Sequence, residues 1–247
     1  MTDLKTEPQS EQEFLESYNI HDFDVPLTSV DMAIFTVKDH ELKVLLVKRA
    51  QYPAKGQWAL PGGFINLGED KDLDTTAARK LREKTGVDTS HLEQVVTVGS
   101  QTRDPRGWSV TVVYMALIPS EHINLVADTS SEEVNWISVK TIESTLAFDH
   151  KDILEQCYER LRSKVQYTSL PVNLLPEEFT LTDLQGIFEV VLGGDIEKKS
   201  FRKRVLDADI LLETGNMRTG SNRPAKLYSV TQQGKSHIFP RSIVPSK

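Results

Sequence analysis

Residues 58–86 read WALPGGFINLGEDKDLDTTAARKLREKTG, and the two halves of this stretch follow different rules. The first half crowds Trp58, Pro61, Gly62, Gly63 and Phe64 into a loop that needs special backbone angles. The second half is a helix candidate over residues 72–85, closed by Gly86 in the position of a C-cap. On that helix Lys80, Glu83 and Lys84 stand at i, i+3 and i+4, so they share one face. One carboxylate between two ammonium groups sums to +1. Ammonium groups cannot be ligands for magnesium. Unit charges ~4 Å apart interact by about 4 kcal/mol at an effective dielectric of ~20, so the face repels a dication. A diphosphate is the opposite case, because ammonium can neutralise it without a metal. A solvated surface whose pocket has decayed would carry the same letters.

Around this stretch the chain alternates strands and helices irregularly. SVDMAIFTV and ELKVLLVKR read as a hairpin about the turn Lys38-Asp39-His40. LEQVVTVGS, WSVTVVYMALIPS and EEVNWISV read as further strands, and AFDHKDILEQCYERLRSKV as an amphipathic helix. The pattern predicts an α+β fold with an α/β/α sandwich in its first part. The loop QTRDPRGW offers Arg103, Asp104, Arg106 and Trp108, able to pair phosphate and stack a base, or to stand solvated as a plain hairpin loop. Arg49 closes a strand beside the Gly-rich loop and is a phosphate candidate. His150 opens a helix, where capping or packing is the common fate.

Near residue 170 the segment VQYTSLPVNLLPEEFT loses periodicity and carries two prolines. The chain divides there into a polar leader (1–26), a first domain (27–168) and a second (169–247). The second opens with Thr180 and Asp183 in a capping-box arrangement. Leu181, Leu184, Ile187, Phe188 and Val191 then make one apolar helical stripe, ended by Gly193-Gly194. A second helix is predicted from Lys198 to Leu212 with Phe201, Val205, Ala208 and Leu212 as its stripe. With Phe201 buried, 100° per residue sets Lys199 and Lys203 on the opposite face, flanked by Lys198, Ser200, Arg202 and Arg204. The basic tip GNMRTGSNRPAK, with Arg218, Asn222, Arg223 and Lys226, precedes the strand-like LYSV. Helix, turn, basic helix and basic tip in that order predict a winged helix-turn-helix on double-stranded DNA. A small docking module with a charged face is the alternative.

Composition bears on both readings. The 247 residues are 38% hydrophobic and 26% charged with a net charge of −7, ordinary for a globular protein. Residues 171–247 hold 11 Lys/Arg and 9 Asp/Glu (+2), which leaves 18 and 27 (−9) for the rest. Such asymmetry between halves points to separate jobs. The longest apolar run, residues 112–118, is far short of the roughly 20 a membrane helix needs. Cys157 is alone, which excludes a disulfide framework or a multi-cysteine zinc site within one chain. The leader shows no cationic start followed by an apolar stretch, so a cytoplasmic protein is expected.

The WALPGGF loop followed by R-x-L-x-E-x-x-G resembles the Nudix family, hydrolases of nucleoside diphosphates linked to another moiety. Gly63 and Glu69 keep the first spacing of the family's box, and Arg79, Leu81, Glu83, Gly86 and Val87 keep its second half. Nine residues instead of seven separate Glu69 from Arg79, and Lys80 and Lys84 replace two expected acids. Joined to a winged-helix tail, such a domain resembles the Nudix-related transcriptional regulators of NAD metabolism, the NrtR family. That resemblance implies ADP-ribose as effector, a homodimer, and repression of NAD genes relieved when the effector binds. The ligand candidates are then Arg49, Gly62, Gly63, Arg79, Lys80, Glu83, Lys84, Arg103, Asp104 and Trp108, with no catalytic residue, metal or cofactor. The alternative is an active Nudix hydrolase with an accessory domain.

Overall fold

The computed structural model describes residues 10–87, 91–122, 131–142, 145–219 and 224–246. A short helix α1 (Glu11–Ser17) is capped by the Ser10 side chain. From residue 10 on, Phe14, Leu15, Tyr18, Ile20, Phe23 and Val25 stand exposed along the leader. Strands β1 (Leu27–Lys38) and β2 (Glu41–Arg49) form the expected hairpin, with Asp39 and His40 both at positive φ in its two-residue turn. Short strands β3 (Trp58–Ala59) and β4 (Gly62–Phe64) bracket Leu60-Pro61 and pair with β2 and β1 respectively. Helix α2 (Leu73–Thr85) has a full capping box between Asp72 and Thr75 and a left-handed Gly86. Strands β5 (His91–Ser100), β6 (Ser109–Leu117) and β7 (Ser131–Ser138) complete a seven-stranded mixed sheet, in which β6 runs parallel to β1.

Helix α3 (His150–Val165) covers one face of this sheet and α2 the other, and the strand sequences show why. Ala33, Phe35, Val113, Met115 and Leu117 point to α3 and meet Ile153, Leu154, Cys157 and Leu161. The intervening Met32, Ile34, Val112, Tyr114 and Ala116 point to α2 and meet Ala77 and Leu81. Both faces of β1 and β6 are therefore buried, so these strands read as apolar runs without polar alternation. Burial also pushes the Cys157 thiol up to about 12, leaving it an inert core group.

The Pro-rich segment after α3 is packed. Leu170, Pro171, Val172 and Leu174 form a buried 3-10 turn that carries the α3-side core into the second unit. There α4 (Leu181–Leu192) has a capping box between Thr180 and Asp183 and ends at a left-handed Gly193. Helix α5 (Lys198–Asp207) follows, held through Phe201 edge-on to Phe188 at 5.2 Å. The predicted second helix runs too long: Asp209 turns left-handed, Ile210 is buried, and β8 (Leu211–Arg218) begins. Leu212 lies in that strand and is exposed, so its match to the helical stripe was a coincidence of spacing. Strand β8 pairs with β9 (Ala225–Val230), so Arg218 and Lys226 of the basic tip lie in strands. The tail after β9 returns along the molecule and buries Phe239 and Ile243.

Candidate ligand cleft and nucleic-acid interface

Each oxygen of Glu83 already faces a cation. Arg79 Nη1 donates to its Oε1 at 2.8 Å and Lys80 Nζ to its Oε2 at 2.9 Å. Burial works against its charge, but these two cations hold the carboxyl below its ordinary value. Arg79 also donates to both oxygens of Asp70 at 2.7 and 2.6 Å, so it pins the loop after β4 to the helix. That pairing holds the Asp70 carboxyl far below the usual carboxylate range. The Lys80 stem lies over Gly63, and its Cε would sit 3.1 Å from a Cβ added there. Lys84 is 3% exposed and donates to Ser131 Oγ at 2.9 Å. Among the described residues there is no cluster of three or more His, Cys, Asp or Glu. The magnesium of Nudix chemistry does not fit this donor set, in which the remaining carboxylate is doubly neutralised.

What the sheet edge, the Gly-rich loop and α3 enclose is a cleft of about 280 Å³. Lys84, Arg49, Arg103 and Arg106 supply its cations and Asp31 and Asp104 its acids. Arg103 donates to both oxygens of Asp149 at 2.9 and 3.0 Å and is a further 3.5 Å from Asp31. Arg106 clamps Asp104 through contacts as short as 2.6 Å and lies over the Phe64 ring at 5.2 Å. The hydrogen bonds from Arg106 hold the Asp104 carboxyl low. Arg49 differs from both. Its Nε donates to the Pro53 carbonyl at 2.8 Å and its guanidinium lies 4.9 Å from the Phe148 ring centre. Among the described residues no carboxylate lies within ion-pair distance of it. Burial, and then the neighbouring Arg106, lower its pKa. The loop therefore presents a guanidinium that an anion can still satisfy.

Asp31 escaped the reading of the sequence, and His150 and Phe148, placed at the start of a helix, were not counted among the ligand candidates. Asp31 is a buried acid inside an apolar strand, and that oddity was the available signal. Its backbone pairs with Gly62, where any Cβ would overlap Asp31 Oδ1 and the Val30 carbonyl. His150 does not cap α3; its Nδ1 accepts from the Leu60 N–H at 2.9 Å, which leaves its proton on Nε2, 3.7 Å from Asp31. Burial favours the neutral ring. Phe148, with φ +57°, brings its ring beneath Arg49. Of the residues named from sequence, Arg49, Gly62, Gly63, Lys84, Arg103, Asp104 and Arg106 line the cleft together. Arg79, Lys80 and Glu83 do not line it, and Lys80 meets it through Gly63. Trp108 lies outside, half exposed, with its ring against Gly99 of β5.

In the second unit Glu197 caps α5 by accepting from the N–H groups of Lys199 and Ser200. Lys198, Lys199, Ser200 and Lys203 are exposed, and among the described residues no carboxylate pairs with these lysines. Arg202 turns sideways to Thr182 of α4 at 3.1 Å. Arg204 faces the tail and donates to the carbonyls of Arg241 and Ser242 at 3.2 and 2.6 Å, so it is a brace. On the wing Arg218 pairs with Asp183 at 2.7 Å and Lys226 with Glu213 at 2.8 Å. Asn222 and Arg223 lie outside the described residues.

Comparison with known proteins joins the two halves. Residues 26–157 match the Nudix domain and residues 171–230 the NrtR DNA-binding winged helix domain. The ADPR responsive transcriptional repressor NtrR of Acinetobacter baylyi is 45% identical over 241 residues, spanning 97% of this chain and 96% of that protein. The chain belongs to the NrtR family. The NrtR of Shewanella oneidensis complexed with a 27mer DNA is 45% identical and has a TM-score of 0.82, covering 87% of this chain and 99% of that one. The Nudix domain of that NrtR complexed with ADP ribose is 44% identical with a TM-score of 0.58, covering 62% and 99%. The winged helix and the Nudix domain are thus two parts of one known architecture.

Proposed function

We propose that this chain is an ADP-ribose-responsive transcriptional repressor of NAD metabolism genes, acting as a cytoplasmic homodimer on double-stranded DNA. The observation that carries the reading is Glu83, whose two oxygens are held by Arg79 and Lys80, while Arg49 in the cleft has no carboxylate within ion-pair distance among the described residues and feels Asp104 and Asp31 only from farther off. A site of that kind holds a diphosphate and does not cut it, because metal-assisted hydrolysis needs an ion to polarise phosphate and activate water. Arg49 and the buried Lys84 face the diphosphate, and the exposed aromatic rings of Tyr52 and Phe64 are available to stack the base.

Coupling follows the solid core between the units. Helix α3 starts in the cleft at His150, and just beyond its end the Gln166 and Tyr167 carbonyls accept from Ile243 and Phe239 of the tail. The carbonyls of Arg241 and Ser242 in that tail hold Arg204 of α5. A shift of α3 on ligand binding thus reaches the DNA-reading helix, and effector and DNA weaken each other by the same factor.

The test is a mobility-shift titration on DNA from upstream of NAD-pathway genes, with and without ADP-ribose. Loss of the shifted band on adding ADP-ribose is expected; unchanged DNA affinity at saturating ligand rejects the coupling. A parallel assay for AMP with ADP-ribose and magnesium tests the silent site. Turnover at an ordinary enzyme rate of about 1 s⁻¹ or more would make the chain a hydrolase instead.

A further inference from the structure

The tail beyond β9 does more than close the core. It is tied down at four places: the Ser169 N–H donates to the His237 carbonyl, Phe239 N–H to Tyr167, Ile243 N–H to Gln166 and Ser246 N–H to Asp195. Arg204 of α5 then fixes the carbonyls of Arg241 and Ser242 beside the helix. Between α5 and this strap lies a cleft of about 530 Å³, bounded by Ser200, Lys203 and Asp207 on one side and His237, Pro240 and Arg241 on the other.

Its charge is one-sided. Lys203 and Arg241 are exposed, and among the described residues neither has a carboxylate within ion-pair distance. The His237 Nε2 is buried without a hydrogen-bond partner, and Asp207 is the single acid on the rim. Lys203 belongs at once to this cleft and to the outward face of α5, so the cleft is continuous with the DNA-reading surface. Phosphates flank a recognition helix lying in the major groove, and cations beside the helix fix its register without reading sequence.

We infer that the tail is a third DNA-contacting element, with Arg241 and Lys203 clasping one backbone phosphate of the duplex between strap and helix. This rests on α5 being the DNA-reading helix, as proposed above, and adds a contact from a segment that lies beyond the matched winged-helix domain. The strap is bound to Gln166 and Tyr167 at the end of α3, so the clasp feels the same displacement that reaches α5.

The test uses the full chain and a labelled duplex of arbitrary sequence, because a phosphate contact is independent of base identity. Fluorescence anisotropy is followed against salt concentration for wild type, Arg241→Ala and, as a control on α5 itself, Lys199→Ala. Arg241→Ala should bind about tenfold more weakly near 0.1 M salt and lose about one unit of the slope of log K against log salt. Arg241 is exposed and its side chain makes no hydrogen bond or ion pair among the described residues, so thermal unfolding of the variant should match wild type. An unchanged slope in Arg241→Ala, with Lys199→Ala reduced, overturns the clasp and leaves α5 as the reader. An unchanged slope in both removes the reading of α5. Saturable binding of inorganic phosphate that depends on Arg241, with duplex binding unaffected, assigns the cleft to a small anion and also overturns the proposal.

Discussion

Helices α2 and α5 are both short, both capped by an acid, and both rich in lysine and arginine, yet their lysines have opposite fates. On α2 Arg79 and Lys80 are locked onto Glu83 and Asp70, and Lys84 is buried against Ser131. On α5 Lys198, Lys199 and Lys203 stand in solvent with no carboxylate within ion-pair distance among the described residues. The difference lies in what surrounds each helix: α2 packs under a loop carrying Glu69 and Asp70, whereas α5 presents a bare face between wing and tail. A cation already matched serves architecture and local field; an unmatched one is available for phosphate.

The largest effect is expected where the first of these environments is built. Gly62→Ala drives a Cβ into Asp31 Oδ1 and the Val30 carbonyl. Overpacking of this kind should cost about 3 kcal/mol, since the obstacle is largely backbone. Urea denaturation should show the loss, and calorimetry should show ADP-ribose binding abolished. A variant of full stability that still binds the ligand would mean that the close approach of β4 to β1 is not what shapes the cleft.

The next effect belongs to α5. Removing two unmatched cations together, in Lys199→Ala/Lys203→Ala, should weaken duplex binding about a hundredfold near 0.1 M salt. The salt slope should fall by about two units, while ADP-ribose affinity stays at the wild-type value. Equal losses of ligand and DNA binding would erase the distinction between the helices.

How far this contrast was legible in the sequence differs from element to element. The hairpin of β1 and β2, α2 with its Asp72 and Gly86 ends, and α4 with its Thr180 box were readable because caps, turns and periodicity are local. Charge was readable, and pairing was not. Arg204 looks like a DNA contact until the tail, 37 and 38 residues away, takes its guanidinium. His150 meets Leu60 across 90 positions, and Asp31 enters the site only because β1 lies beside β4. Leu212 misled because a strand residue fell four positions after Ala208.

Arg49 tests the exception within the first environment, an unmatched cation in a cleft whose other arginines are paired. Arg49→Ala should lower ADP-ribose affinity about 10- to 100-fold, the range for losing hydrogen bonds to a charged group of about 1.5–3 kcal/mol. DNA binding without ligand should be unchanged, and the repressor should then ignore ADP-ribose in the mobility-shift titration. Wild-type ligand affinity in this variant would hand the diphosphate to Lys84.

The smallest effect separates matched from unmatched charge by pH. Glu93 on β5 accepts from Lys164 and Arg160 of α3 and contacts His91, a third cluster of matched charge. Burial works against its ionisation, but these partners prevail and hold its carboxyl down to about 2. Its folded pKa lies below the unfolded value, so its stabilisation is complete above about pH 4.5 and is lost as pH falls from there toward 2. Screened by solvent, the contribution is about 1–2 kcal/mol. Unfolding free energy measured down this range should decline in wild type and decline less steeply in Glu93→Gln, which starts from a lower plateau. Identical acid profiles for wild type and Glu93→Gln would show that this cluster joins β5 to α3 by packing alone.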